Sequence, residues 1–273
     1  MRSMSPARVS VQARRASRSR LAVAAARLGL TARGIIYLLI GWVAVMLALG
    51  KTTREADQRG ALQMLAGQPF GMVALWLLGI GFAAYALWRL SEAAFGVTGD
   101  GRDAGPRLRS LVRALIYAGF AVMTFLIING TGHSQSGQQQ DWTARLMHQP
   151  GGRWAVAAIG VAIVIAGLVL VAEGARLKFE KYLRLGDMSA RTRRVVEWLG
   201  MAGTAARGLI FAIAGVLVVD AAVTFHPAKA GGLDKALRTL RDQPFGQVGL
   251  IAAAAGLIVF GIYGLCEARW HRV

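Results

Sequence analysis

The chain has 273 residues, of which 55% are apolar, and its mean hydropathy is +0.46. This apolar share is high for a water-soluble surface and is typical of membrane proteins. A net charge of +18 would also suit a nucleic-acid-binding protein, so the distribution of the charge has to be considered before its sign. The single cysteine, Cys266, excludes an intrachain disulfide, and the four histidines lack metal-ligand spacing. We expect no metal site and no cofactor.

Six stretches of about 17 to 21 residues are almost purely apolar, and about 20 helical residues cross the hydrocarbon core of a bilayer. The predicted fold class is therefore all-α, a bundle of six transmembrane helices. The six predicted spans are Gly34–Gly50, Phe70–Trp88, Ala114–Gly130, Trp154–Ala172, Gly208–Phe225 and Gly246–Cys266.

The basic residues predict the orientation of these spans. Of the 32 Lys and Arg side chains, 23 lie in alternate segments between the spans and nine lie in the others. By the positive-inside rule this asymmetry predicts cytoplasmic N- and C-termini in a bacterial inner membrane, with anionic lipid headgroups as partners of the cytoplasmic face. Residues 1–20 are predicted to form a basic, disordered cytoplasmic tail. Nucleic-acid binding by this tail is an alternative that we do not expect.

A rare dipeptide marks an internal repeat. Gln-Pro occurs at Gln68-Pro69, Gln149-Pro150 and Gln243-Pro244, and a glutamate follows each Gln after 24 residues, namely Glu92, Glu173 and Glu267. The odd spans open on RGIIY, RALIY and RGLIF, which begin at Arg33, Arg113 and Arg207. From one copy to the next, the Arg markers and the Gln markers are shifted along the sequence by nearly the same number of residues. The chain therefore contains three two-helix repeats, at residues 21–96, 107–185 and 195–273. Two spans per repeat give all three the same topology, which predicts a pseudo-threefold axis along the membrane normal.

This threefold pattern resembles a bacterial integral membrane family known as domain of unknown function 1206, whose members carry three tandem two-helix units. The resemblance covers residues from about Leu28 to Trp270, and the middle copy departs from it with Gly151 in place of Phe70 and Phe245. It implies a fold but no activity.

The repeated charges are predicted to lie at one membrane interface, because odd spans start on the side to which even spans return. Three interfacial ion pairs between Arg33, Arg113, Arg207 and the three glutamates are the favoured interpretation. The alternatives are a charged gate and a site for lipid headgroups. An aromatic residue follows each of these Arg residues after four positions, and a small residue follows after eight. The small residues (Gly41, Ala121, Gly215) are predicted to let a neighbouring helix approach.

Asp220 is the one carboxylate placed well within a predicted span. An ionisable side chain inside a membrane suggests a function, here a proton or cation path. The competing interpretation is that Asp220 reaches the outer interface or is hydrogen-bonded locally.

The external loops carry a second pattern. ALQML, TARLM and ALRTL each precede a Gln-Pro site and predict three short amphipathic helices that lie in the headgroup layer or fold back onto the spans. Gln-Pro is predicted to end each short helix and to place Pro at the first position of the even span, where the following Gly permits close packing. A ring of the three Gln side chains at an external mouth is the functional alternative.

The sequence contains none of the motifs GxxxxGK[ST], HExxH and GxSxG, and we expect no enzyme. The predicted function is that of a structural or partner-binding membrane protein. The alternative is a small-solute or ion pathway along the pseudo-threefold axis.

Overall fold

The structure is a computed structural model that describes residues 20–96, 104–130, 135–177, 180 and 183–271. The predicted basic tail, apart from Arg20, lies outside the described residues. Nine α-helices follow one another in the described part of the chain. They are α1 (Arg20–Ala48), α2 (Gln58–Ala66), α3 (Gly71–Phe95), α4 (Ala104–Ile128), α5 (Gln135–Met147), α6 (Gly152–Ala175), α7 (Ala190–Thr224), α8 (Leu233–Arg241) and α9 (Gly246–Trp270).

Six of these helices are long and apolar enough to cross a membrane: α1, α3, α4, α6, α7 and α9. They confirm the predicted six-transmembrane bundle. The first span of each repeat (α1, α4 and α7) begins earlier than predicted. Helix α7 has 35 residues and is about 52 Å long, well beyond the hydrocarbon thickness. The extra turns lie before the repeated Arg residues. The sequence there contains small and basic residues, which continue the helix but lack the apolar run that defines a span.

The three repeats share a long–short–long order of helices, and the closest partner of each span lies in a neighbouring repeat. The most extensive contacts join α6 to α7, α1 to α9 and α3 to α4. Each of these pairs combines the even span of one repeat with the odd span of the next, so the first and last repeats close a ring.

Small residues explain these inter-repeat contacts. A methyl group added at Gly167 of α6 would lie 2.5 Å from the backbone nitrogen of Ala212 in α7. The same addition at Gly34 of α1 would lie 2.9 Å from the carbonyl oxygen of Gly261 in α9. The predicted small positions take part: added methyl groups at Gly41 and Gly215 would lie 2.6 Å from Ile258 and Val164 side-chain or backbone atoms. Backbones of neighbouring repeats thus approach closely, which is how helices associate where lipid offers the same apolar surroundings.

Contacts inside a repeat are weaker and depend on two further glycines. Gly29 of α1 lies against Tyr85 of α3, and Gly203 of α7 lies against Phe260 of α9. The equivalent positions of the middle repeat hold Arg109 and Ala166, so neither the glycine nor the aromatic ring is present.

A second pair of positions shows the same difference. Gly81 lies against Ala32, and Gly256 lies against Ala206. The middle repeat has the larger Ala162 and Val112 there. Consistent with both substitutions, α4 and α6 form no extensive contact with each other. The ring therefore has one gap, between the two spans of the middle repeat.

The short helices α2, α5 and α8 confirm the three short helices predicted before the Gln-Pro sites, and they fold back onto the spans. We call the end of the bundle that carries them its outer end. Leu62 of α2 and Leu237 of α8 are fully buried. The equivalent residue of α5 is Thr143, which is only partly buried. The middle repeat is thus the exception at its outer end as well.

Each Gln-Pro site forms the same tight turn before an even span. The backbone N–H of Gly71 donates to the carbonyl of Gln68 at 2.8 Å, and the other two sites repeat this bond at 2.9 and 2.7 Å. Pro therefore occupies the second place of a turn, and the helix starts two residues after it, which corrects its predicted place at the first helical position.

The third place of this turn is left-handed, with φ of 62° at Phe70, 73° at Gly151 and 59° at Phe245. Pro in second place and a left-handed residue in third are the features of a type II turn. The fourth place needs Gly, because a methyl group added at Gly71 would lie 1.9 Å from the carbonyl oxygen of Leu65. The predicted need for a close-packing Gly is confirmed.

We expect Gly167→Val to destabilise the protein, because the added side chain would separate α6 from α7 and overpacking costs about 1–3 kcal/mol or more. Gly119→Val in α4 is the matched control, since nothing lies within 4 Å of a methyl group added there. Thermal unfolding in detergent measures the difference. A similar melting temperature for both variants would contradict the role given to the inter-repeat contacts.

Candidate functional site

A cavity of about 750 Å³ lies between helices of all three repeats. Its wall on α7 runs from Arg207 to Val218, a distance of about 16 Å along the helix. The other walls come from α1, α3, α4 and α6, and the short helix α5 covers much of the outer end. Because α4 and α6 do not pack together, the side of the cavity between them is not closed by helix contact.

The inner end of the cavity contains the three repeated arginines, Arg33, Arg113 and Arg207, together with Tyr37, Tyr85 and Tyr117. Each Arg lies 15 to 17 residues before the outer end of its helix, or about 22 to 25 Å along the axis. The repeat therefore brings the three cations to one level, near one boundary of a hydrocarbon core about 30 Å thick.

One of the three predicted ion pairs is present. The Arg33 guanidinium donates to the Glu267 carboxylate, and the two side chains are only 14% and 11% exposed. This pair joins α1 to α9 and so spans the contact between the first and last repeats. Its burial makes it a structural bond rather than a surface ion pair.

The other predicted ion pairs are corrected. Among the described residues, Arg113, Arg207 and Glu173 form no ion pair. Glu92 is paired instead with Arg89, one turn earlier on α3, at 2.6 Å, and it also accepts a hydrogen bond from Ser110 at 3.2 Å. The other repeats have Leu170 and Gly264 in the place of Arg89, so this competing cation is particular to the first repeat.

Arg207 lies among aromatic rings instead of carboxylates. Its guanidinium carbon is 5.0 to 5.3 Å from the ring centres of Tyr37, Phe211 and Phe260, which is the range of cation–π contacts. The Nε atoms of Arg207 and Arg33 are buried and lack a hydrogen-bond partner among the described residues. Buried donors are normally satisfied, so two unmet N–H groups beside a cavity point to an acceptor from outside the chain.

The cavity is strongly basic. Four arginines line it, the three repeated ones and Arg145 on α5, and no Asp or Glu is among the described residues that line it. Arg33 is balanced by Glu267, which leaves the other three without a carboxylate partner in the described part of the chain. Charges in membrane interiors are costly unless they are paired or solvated, so this excess requires a counter-charge or water.

Apolar side chains line the cavity between its two ends. Ile116 and Phe120 come from α4, Ile159 and Ile163 from α6, and Ile210 from α7. These residues show no polar pattern that could coordinate a hydrated ion. The middle of the cavity therefore suits an apolar group.

Polar side chains return at the outer end. Gln58, Gln139 and Gln149 line the cavity there, and Gln139 lies against Gly232, where an added methyl group would be 2.9 Å from its side-chain amide. Of the predicted external ring, only Gln149 faces the cavity, whereas Gln68 and Gln243 are exposed and do not line it. The predicted ring is corrected, because the cavity reaches the Gln-Pro turn of the middle repeat and not the turns of the other two.

Asp220 lies away from the cavity. Its carboxylate pairs with Lys229 at 2.9 Å, is 43% exposed and stands one turn before the end of α7. It does not line the cavity. The structure thus places Asp220 at the outer end of the bundle, and its predicted alternative role in an intramembrane path is corrected.

Several residues of this site escaped the sequence analysis. Arg89, Tyr85 and Phe260 lie outside the repeated Arg and Glu markers, although Tyr85 and Phe260 occupy equivalent positions 17 residues after their Gln. The signal that could have found them is the difference at this position, because the middle repeat has Ala166 where the other two repeats have an aromatic residue. A comparison of the copies for their differences, rather than for their matches, would have indicated the gap.

His271 adjoins the buried ion pair at the end of α9. Burial, together with repulsion from Arg89, Arg33 and Arg113, outweighs the attraction of Glu267 and lowers the pKa of His271 to about 4. Because the imidazole is then neutral near pH 7, it does not compete with Arg33 as the counter-charge of Glu267. Arg33 is therefore the hydrogen-bonded counter-charge of Glu267.

Comparison with known proteins agrees with the repeat structure. The family described as Domain of Unknown Function (DUF1206) matches the chain three times, at residues 28–96, 109–176 and 202–271. The chain belongs to this family. A relative from Bacillus subtilis (strain 168), named "Uncharacterized protein YxxB", is 31% identical over 250 residues, which is 90% of each chain. No solved structure matches the chain.

We expect Glu267→Gln to lower the free energy of unfolding by about 3 kcal/mol, because it leaves the buried Arg33 cation without a counter-charge. Asp242→Asn, at an exposed end of α8, is the control and should change little. Thermal or denaturant unfolding in detergent compares the two. Equal effects would show that the Arg33–Glu267 pair does not hold α1 to α9.

Proposed function

We propose that this member of the family is a non-catalytic protein of the bacterial cytoplasmic membrane that binds an amphiphilic membrane ligand in its central cavity. The observation that carries the proposal is a cavity with polar ends and apolar walls that is left unclosed on one side within the bundle. A volume of about 750 Å³ is within the range of small-molecule sites.

The shape of the site supports binding from the bilayer. The gap between α4 and α6 faces the apolar phase, because both helices expose large apolar side chains along their length, such as Leu115 and Ile165. A ligand dissolved in the membrane reaches the cavity through this gap without crossing water. A hydrated ion would meet the apolar middle of the cavity instead.

The observations give no comparable support to a solute pathway. That alternative relied on Asp220 and on a ring of Arg–Glu pairs as its polar elements. Asp220 is paired with Lys229 outside the cavity, and of the ring only the Arg33–Glu267 pair is present among the described residues. A binding role also agrees with the absence of catalytic motifs from the sequence. We include the absence of catalysis in the proposal.

Retention of a ligand tests the binding role. Native mass spectrometry of the protein extracted in mild detergent should show a mass adduct that persists at collision energies that remove annular lipid. Ile163→Trp should abolish the adduct, because Ile163 lines the cavity and the larger ring would fill it. Ile165→Trp is the matched control, two residues further on the same helix, 56% exposed and outside the lining.

Two results would contradict the binding role. One is the lack of any retained adduct in the unchanged protein. The other is an adduct that survives equally in Ile163→Trp and Ile165→Trp, because a ligand bound to the outer surface would not distinguish these positions.

The cytoplasmic location of both termini belongs to the same proposal and rests on the asymmetry of the basic residues. A green fluorescent protein fused after Val273 should fluoresce, and an alkaline phosphatase fused there should be inactive, since the first requires the cytoplasm and the second requires export. Active phosphatase would reverse the orientation and place the arginine level on the outer side.

A further inference from the structure

We propose that the ligand of the cavity is an anionic amphiphile whose phosphate or carboxylate head is held by Arg33, Arg113 and Arg207 and whose acyl chain lies along the apolar walls. This assignment rests on the proposed binding function and adds the chemical class and the direction of the ligand. Neither the repeat family nor its relative supplies either of them.

The charge of the ligand follows from the excess of cations. Three repeats bring three guanidinium groups to one end of one cavity, and only Arg33 has a carboxylate partner among the described residues. The Nε–H groups of Arg33 and Arg207 are buried and unsatisfied in the described part of the chain. Guanidinium groups bind phosphate and carboxylate oxygens by charge-assisted hydrogen bonds, so an anionic head would meet both the charge and the missing acceptors.

The aromatic residues explain why Arg207 is free to bind such a head. Tyr37, Phe211 and Phe260 hold its guanidinium by their ring faces, which stabilise the cation without using its hydrogen-bond donors. A carboxylate in the place of these rings would have occupied the same N–H groups. The cage thus keeps a desolvated cation available to an external acceptor.

The apolar part of the ligand follows from the walls. From the arginine level the lining continues along α6 and α7 through Ile163, Ile159 and Ala214 to Val218. An inorganic anion would satisfy the guanidinium groups but would leave this apolar surface unfilled. An acyl chain covers it and supplies the van der Waals contacts that an inorganic anion lacks.

The direction of the ligand follows from the depth of the arginines. They lie about 22 to 25 Å from the outer ends of their helices, and thus near the membrane boundary opposite to α2, α5 and α8. A head at this level and a chain directed toward the bilayer centre match the arrangement of a lipid in one leaflet. The gap between α4 and α6 lets such a molecule enter without leaving that leaflet.

Binding of defined lipids to delipidated protein in detergent tests the assignment. The probes are dioleoyl phosphatidylglycerol, dioleoyl phosphatidylcholine with the same chains, and inorganic phosphate, each titrated and measured by native mass spectrometry. We expect the anionic lipid to bind at least tenfold more tightly than the zwitterionic lipid. Inorganic phosphate should bind far more weakly than phosphatidylglycerol.

The arginine variants locate the head. Arg113→Gln and Arg207→Gln should each weaken binding of phosphatidylglycerol at least tenfold, because a charge-assisted hydrogen bond to the head is lost. Arg194→Gln on the exposed start of α7, outside the cavity lining, should stay within twofold of the unchanged protein. Arg113 is exposed and unpaired among the described residues, so its variant is expected to fold even if Arg207→Gln does not.

The outcomes separate the two proposals. Equal retention of both lipids would overturn the anionic assignment and leave the binding function in place, whereas retention of neither lipid would overturn the binding function itself. Tight binding of inorganic phosphate alone would make the site one for free anions and exclude the amphiphile. Equal losses in Arg113→Gln and Arg194→Gln would show that lipid binds the surface rather than the cavity.

Discussion

The close approach of helices from neighbouring repeats is the constraint on which the structure depends. Glycines such as Gly167 and Gly208 bring α6 and α7 into backbone contact, and Gly34 and Gly261 do the same for α1 and α9. Lipid gives helices little hydrophobic reason to associate, so these contacts and the buried Arg33–Glu267 pair must hold the ring together. Because the closest helix partners belong to different repeats, each repeat is held in place by its neighbours. The pseudo-threefold symmetry places equivalent residues around one axis.

The cavity arises where that symmetry is broken. Repeats 1 and 3 join their own two spans through Gly29 with Tyr85 and Gly203 with Phe260, and the middle repeat lacks both partners. Its external helix also presents Thr143 where the other two bury leucine. The result is one unclosed side at the level of three arginines that the repeat has already gathered. The repeat supplies the charges, and the different residues of the middle copy leave a site open beside them.

Much of this architecture could be predicted from the sequence. Hydropathy indicated the spans, the Gln-Pro and Arg markers indicated the repeat, and short apolar patterns indicated the external helices, since each of these signals is local. The partner of each helix could not be predicted, because a repeat shows which residues are equivalent and not which neighbour they contact. The Glu92 pairing was missed for a related reason: Arg89 is local to one copy, and a pattern defined by matches among copies overlooks it.

The binding of an anionic lipid between α4 and α6 can be tested by an experimental map of the protein in lipid nanodiscs that contain phosphatidylglycerol. We expect α4 and α6 to stand apart and elongated density to fill the space between them, with its polar end within hydrogen-bonding distance of the Arg113 and Arg207 guanidinium groups. Direct packing of α4 against α6, with the arginines turned toward carboxylates or water and no cavity between the repeats, would contradict it.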